Sequence, residues 1–272
     1  MARDGLPAYA RHPLLRTVSL DRSFYRPLTA AQYAAYAAQV PEDFRFIVKA
    51  PALVTDAVQR GPDGRGLQAN PAFLDPHTAL DTFVQPALEG LGHKIGALVF
   101  EIPPLPGGLR RDMPALFDRL GRMLAALPAL APTAPEGVIA VEVRDPDWLV
   151  PAFRDVLRDH SARYCLGLHP RLPPIDAQLP LLRAMWPGPL VCRWSLNRLH
   201  GAQGYESAKA GYAPFDRLVD PDPVTREALA RVIRGTAAAG HPVYVSINNK
   251  AEGCAPRSVI ALAQAVEAPC TP

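Results

Sequence analysis

Seven short apolar, β-branched runs, too far apart to be joined as hairpins, constrain this chain more than any other feature. They cover residues 15–20, 44–49, 97–102, 138–144, 164–168, 190–194 and 243–247. Between them lie helical patterns with readable ends. Thr29 and Gln32 form a capping box, and the helix they open stops at Pro41. Asp75 before Pro76 is an N-cap with proline at the first helical position; Gly90 or Gly92 ends that segment, and Pro86 predicts a kink within it. Further helices are expected over 112–127, 151–160, 176–185, 223–239 (closed by Gly240) and 256–266. Strands alternating with helices, the strands apolar on both faces, predict a parallel sheet covered by helices.

Two α/β architectures share this rhythm. A doubly wound dinucleotide-binding sheet opens with a glycine-rich turn, whereas the segment after Leu20 reads Asp-Arg-Ser-Phe-Tyr-Arg-Pro. The better expectation is a TIM-like (β/α) barrel, with seven strands in view where eight are usual. No repeat or low-complexity linker interrupts the 272 residues, so one domain over 1–272 is expected. Hydrophobic residues at 49% and charged residues at 20% exclude a disordered chain. A net charge of +3 is too weak a field to argue for nucleic acid. No run approaches the length of a membrane span and the N-terminus lacks an apolar leader core, so a cytoplasmic protein is expected. The four cysteines, Cys165, Cys192, Cys254 and Cys270, have no CxxC spacing and read as reduced thiols. Neither metal nor cofactor is implied.

In such a barrel the carboxyl ends of the strands build the site. Here those ends carry Asp21 and Arg22, Lys49, Glu101, Glu142 and Arg144, His169, Arg193 and Ser195, and then Asn248, Asn249 and Lys250. Glu142 and Arg144 are the sharpest pair, because a spacing of two puts both on one face of a strand. Buried charges need partners, so the pair is either a structural ion pair or an acid/base group with an anion clamp. Lys49 reads equally as a snorkelling surface lysine or a ligand-binding one, and Glu101 shares that ambiguity, since its carboxylate could equally satisfy neighbouring backbone amides. Arg193, between Cys192 and Trp194, is expected to be partly buried against a ligand or a carboxylate. One of Asn248 and Asn249 closes the strand and the other is free to meet a substrate. Two loops, 50–73 and 195–220, are long enough to read as functional lids. The second carries His200, a candidate base that is equally a solvated loop histidine. The glycine-rich stretch from Gly61 lacks the ending of a phosphate loop and reads as a flexible turn.

Five strings then occur in a familiar order: Ser-Phe-Tyr from Ser23, Pro-Glu-Asp-Phe-Arg-Phe-Ile-Val-Lys-Ala from Pro41, Phe-Glu-Ile-Pro-Pro from Phe100, Val-Glu-Val-Arg-Asp-Pro-Asp-Trp-Leu from Val141, and Val-Tyr-Val-Ser-Ile-Asn-Asn-Lys from Val243. Together they resemble the YecE-like family, also labelled domain of unknown function family 72, over almost the whole chain. The resemblance implies a TIM-like barrel and assigns no activity. Lys49, Glu142, Arg144, Trp148, Arg193 and Asn249 match the family pattern, and Tyr25 lies in the first string. The chain departs where the family has an early Glu and an Asn, reading Ser19 and Asp21, and it carries Thr55-Asp56, Glu101 and Asp145 where the family has Thr-His, Gln and His. Residues 6–10 look like the family's first helix without the strand that normally precedes it. A missing strand exposes two sheet edges, so either the natural chain starts upstream or residues 1–16 cover the gap.

The resulting expectation is a small-molecule enzyme. Lys49, Arg144 and Arg193 bind an anionic or polyhydroxylated substrate, with Tyr25, Trp148, Asn249 and His200 as further contacts. Glu142 transfers protons, with Glu101 or Asp21 as second carboxylate. The alternative is a non-catalytic barrel that binds a metabolite or nucleic acid; the low charge counts against the latter. Metal-assisted sugar-isomerase or endonuclease chemistry on Asp21, Glu101 and Glu142 is the weakest reading, because no histidine set accompanies them.

Overall fold

The computed structural model describes residues 5–61 and 65–268. Among these are nine strands: β1 Thr17–Leu20, β2 Arg45–Lys49, β3 Val58–Arg60, β4 Gly66–Ala69, β5 Ile95–Ile102, β6 Val138–Val143, β7 Arg163–Leu168, β8 Leu190–Trp194 and β9 Val243–Ile247. Seven are parallel in the order β1-β2-β5-β6-β7-β8-β9, the sequential topology of a TIM-like (β/α) barrel. They are the seven runs expected from the sequence, displaced by at most two residues at their ends. No helix among the described residues is long and apolar enough to cross a membrane. The chain divides into two compact units, one through Tyr164 and one from Cys165.

In the first unit all eight residues of β5 are buried, as a strand packed on both faces requires. The helices begin where short polar side chains satisfy their first amides. Thr29 accepts from the Gln32 amide and the Gln32 side chain returns to the Thr29 amide, opening Ala30–Ala37. Asp75 accepts from Thr78 N at 2.7 Å, and Asp112 caps Met113–Ala125 through Ala115 N at 3.1 Å. The kink expected at Pro86 takes the form of a π turn, Leu80–Val84, ahead of the α-helix Gln85–Leu91. Pro86 has no amide to give the preceding turn, so the regular ladder cannot continue through it. Gly90 lets that helix lie directly on Ala30–Ala37: a Cβ there would stand 2.3 Å from Ala30 O and 2.5 Å from Tyr33 Cβ.

Segment 50–73 is not the structureless loop expected from sequence. It holds a helical turn, Ala52–Thr55, and the antiparallel hairpin of β3 and β4. Buried Asp56 organises the hairpin by accepting from Val58 N at 3.1 Å and pairing with Arg60 Nε at 2.6 Å. Asn70 closes it, donating to Leu53 O and Asp56 O at 2.8 and 2.7 Å. The glycine-rich turn from Gly61 falls largely on residues 62–64, which lie outside the described residues. At the other end of the unit the helix Gly5–Ala10 sets Tyr9 against Phe44, with its hydroxyl donating to Thr17 O at 2.9 Å. Burial raises the Tyr9 phenol to about 12. Residues 1–4 of the segment expected to cover a missing strand lie outside the described residues.

In the second unit the remainder of β7 pairs with β8, and β8 with β9. Asp222 caps Pro223–Ala238 through Thr225 N at 2.9 Å. The second expected lid, 195–220, is also structured: it contains the turn Arg198–His200 and the helix Tyr205–Tyr212, folded over a small core of Leu196, Ala208 and Tyr212. Buried Asn197 closes it by donating to Asp220 O and Ala251 O, each at 2.9 Å. Cys165, Cys192 and Cys254 are buried free thiols, and Cys270 lies outside the described residues.

Candidate functional site

Strand register gathers the charged side chains of the first unit. Lys49 on β2 is level with Val99 on β5, and Glu101, two residues further on, is level with Glu142 on β6. Level partners and alternate residues project to one face. Lys49, Glu101, Glu142 and Arg144 therefore share a face at the carboxyl ends of three neighbouring strands.

Their contacts form a chain. Glu101 Oε2 lies 3.1 Å from Lys49 Nζ and 3.1 Å from Arg144 Nη2. The same Nη2 lies 2.8 Å from Glu142 Oε1. Side-chain exposure grades along the chain, 11% for Lys49 and 10% for Glu101, then 6% for Arg144 and zero for Glu142. Glu142, the candidate proton carrier, is thus the innermost member, and the two residues nearest solvent are Lys49 and Glu101. Formal charge within the chain cancels, with two cations against two carboxylates.

Neighbouring residues fix the outer pair. The Lys49 ammonium sits 3.4 Å from the centroid of the Phe24 ring, a cation–π contact. Buried Ser23 has its hydroxyl 2.6 Å from Lys49 O and 2.8 Å from Leu20 O, joining the ends of β1 and β2. Tyr33, fully buried beside Ser23, has its phenol raised well above the ordinary range by desolvation. Buried Asp145 accepts from Leu105 N at 2.7 Å, which holds the Pro103-Pro104 turn beyond Glu101. Ser23, Phe24 and Asp145 were all visible in the motif strings, but nothing in their spacing signalled support of a neighbouring lysine or turn.

The other expected residues of this unit are placed differently. Asp21 is exposed and accepts from Ser19 Oγ at 2.8 Å. Tyr25 is 84% exposed, with its ring 5.4 Å from that of Phe24. Trp148 is wholly buried, edge-on to Phe117 and Phe153 at 5.6 and 5.5 Å, and its indole nitrogen has no hydrogen-bond partner among the described residues. The indole expected to contact substrate packs among these rings and has no exposed surface.

In the second unit Arg193 is buried on β8, level with Gly167 on β7 and Ser246 on β9. Buried His169 accepts from Arg171 N at 3.1 Å and stacks on Tyr205 with ring centroids 5.6 Å apart. Asn248 Oδ1 accepts from Lys250 N at 3.0 Å and Asn249 Oδ1 from Ala255 N at 2.8 Å, so both asparagine carbonyls serve turns. His200 is mostly buried rather than solvated: it lies 3.8 Å from Asp220, 3.5 Å from Ser207 Oγ and edge-on to Tyr212 at 4.9 Å. Burial, reinforced by the Asp220 carboxylate, raises the Tyr212 phenol far above its usual value. Glu252 was missed from the sequence. Wholly buried, it accepts from Asp222 N at 2.7 Å, pairs with Arg226, and its backbone carbonyl accepts from Val219 N at 2.8 Å.

No group of three or more His, Cys, Asp or Glu side chains among the described residues is arranged to hold a metal ion. Comparison with known proteins gives a family match, described as "Protein of unknown function DUF72", over residues 1–271. This is the family that the YecE-like strings resemble. No curated protein matches the chain. Among solved structures, a DUF72 family protein from Enterococcus faecalis V583 is similar at a TM-score of 0.64 and 18% identity, covering 98% of this chain and 95% of that one. A DUF72 family protein from Thermotoga maritima MSB8 is similar at a TM-score of 0.52 and 17% identity, covering 96% and 88%. At these identities the likeness shows the fold alone.

Proposed function

The chain belongs to the DUF72 family, whose name assigns no activity, and from the geometry we propose a small-molecule enzyme that binds a polyhydroxylated substrate at the carboxyl ends of β2, β5 and β6. The observation that carries this reading is the Glu101 carboxylate held between Lys49 and Arg144, with Lys49 and Glu101 outermost.

A hydroxyl group is a donor and an acceptor at once, and it fits beside a paired ammonium and carboxylate better than a simple anion does, because the charges of this chain already cancel. Glu101 accepts the hydroxyl proton and Lys49 donates to the oxygen as negative charge develops there. Arg144 and Glu142 lie beneath and hold Glu101 in position. Proton transfer is therefore assigned to Glu101, and Glu142 becomes a positioning residue.

The test is a library of sugars, polyols and small anions screened by thermal shift against the wild type, Lys49→Met and Glu101→Gln. A bound ligand raises the melting temperature by mass action whether or not it reacts. Stabilisation by hydroxylated compounds is expected in the wild type and is lost in Lys49→Met. Glu101→Gln keeps measurable binding. Undiminished stabilisation of Lys49→Met by the same compound refutes the assignment.

A further inference from the structure

A tyrosine that is 84% exposed is unusual, because its ring is among the larger apolar surfaces a chain can bury. Tyr25 ends the short helix Arg22–Tyr25, whose middle residues are both committed to Lys49: Ser23 to its carbonyl and Phe24 to its ammonium. The Phe24 ring is 3.4 Å from that ammonium and 5.4 Å from the Tyr25 ring, which it meets edge-on at 83°. The ammonium and the Tyr25 ring are therefore separated by no more than these two steps, a span comparable to one monosaccharide with a substituent. Arg22 and Arg26, on either side of Tyr25, are exposed and make no ion pair among the described residues. With Asp21 counted against them, the segment 21–26 that holds Tyr25 carries one net positive charge, whereas the Lys49 to Glu142 chain carries none.

We propose that Tyr25, Arg22 and Arg26 form an outer subsite that selects a cyclic polyol bearing an anionic substituent. The ligand ring lies on Tyr25, its anionic group meets the two guanidinium groups, and its hydroxyls reach Lys49 and Glu101. A sugar ring presents its axial hydrogens as an apolar face, which is the surface an exposed aromatic ring accepts with little entropy cost. Guanidinium groups suit phosphate and carboxylate alike through their fork of donors. The inference rests on the reading of Lys49 and Glu101 as the ligand-facing pair, and it adds the class of ligand.

Four probes separate the parts in isothermal titration calorimetry: glucose, glucose 6-phosphate, glucuronate, and the open-chain glucitol 6-phosphate. The wild type is expected to bind an anionic ring at least about tenfold more tightly than glucose, and the phosphate and carboxylate arms show which anion is preferred. The double variant Arg22→Ala/Arg26→Ala abolishes that preference and leaves glucose unaffected. Tyr25→Ala weakens the ring ligands by about tenfold and leaves the open-chain phosphate unchanged. All three side chains are exposed, so unchanged circular dichroism and melting temperature are expected and confirm folding. Equal affinity for glucose and its anionic forms, or a Tyr25→Ala protein that binds rings normally, overturns the subsite; if Lys49→Met still abolishes binding, the ligand-facing pair stands. Binding indifferent to Lys49→Met, or no binding of any probe at millimolar concentration, overturns both.

Discussion

Replacing Glu101 by Gln keeps the side chain's shape and removes its charge, so it isolates what the shared carboxylate contributes. Each of its two contacts, at 3.1 Å, has a gross attraction of about 5 kcal/mol at an effective dielectric of about 20. Much of that is offset by the desolvation of both ions. The cost of removing one partner of a buried pair is mostly that of the uncompensated charge left behind, typically about 3–5 kcal/mol. Here Arg144 retains Glu142 at 2.8 Å, and Lys49 has some access to solvent, so the lower end applies: about 3 kcal/mol for Glu101→Gln. Lys49→Met leaves Glu101 its contact with Arg144 and should cost less, about 1–2 kcal/mol. Because Glu101→Gln is costly through the stranded ammonium, removing both groups should cost less than the sum, with a coupling of about 1–3 kcal/mol. Urea unfolding of the wild type, both single variants and the double variant at neutral pH measures this. Repeating it in high salt should change the coupling little, since buried pairs are weakly screened. Additive single effects, or a Glu101→Gln loss below about 1 kcal/mol, would show that the four groups do not act as one network.

Three further substitutions test the frame around the site. Gly90→Ala drives a methyl group into the backbone of the facing helix, at 2.3 Å from Ala30 O, and should lower stability by about 1–3 kcal/mol in urea unfolding; a neutral result would mean that the two helices separate freely. Gly253 has φ +113° and its Cβ would stand 2.6 Å from Arg217 O, so Gly253→Ala should detach segment 213–220 and speed its cleavage by protease, and an unchanged cleavage pattern would refute that contact as its anchor. Asp75→Ala removes a cap and should cost about 1 kcal/mol at pH 7. Contact with Thr78 holds the Asp75 carboxyl below its ordinary value, so its contribution is fully present above the unfolded carboxyl pKa of about 3.9 and is lost as the pH falls through the lower folded value; a difference between wild type and variant that persists in strong acid would assign the loss to something other than the charged cap.

The parallel strands were legible because burial on both faces demands largely apolar runs; β5 and β8 are buried at every position, and Glu101 and Arg193 are the charged exceptions near their carboxyl ends. The hairpin of β3 and β4 escaped notice for the opposite reason. Seven residues long in all, mostly exposed, and built around Gln59, Arg60 and Gln68, it carries no apolar alternation. Among the described residues a buried carboxylate, Asp56, and a buried amide, Asn70, tie it down, and neither announces itself by pattern.

The site divides in the same way. A spacing of two placed Glu142 and Arg144 on one face without any structure, since side-chain period is a property of the strand itself. Depth is not. How far a side chain stands from solvent depends on the register of its strand against its neighbours, and that offset is set by helices and turns distant in sequence. Level with Val99, Lys49 ends its strand two positions short of Glu101, and the two meet because a long ammonium stem reaches forward along the face, where it also lies against the Phe24 ring. The same register brings Glu142 level with Glu101 but under Arg144, where side-chain exposure falls to zero. A strand-end carboxylate read as the reacting group thus turns out to lie under the guanidinium that holds its neighbour.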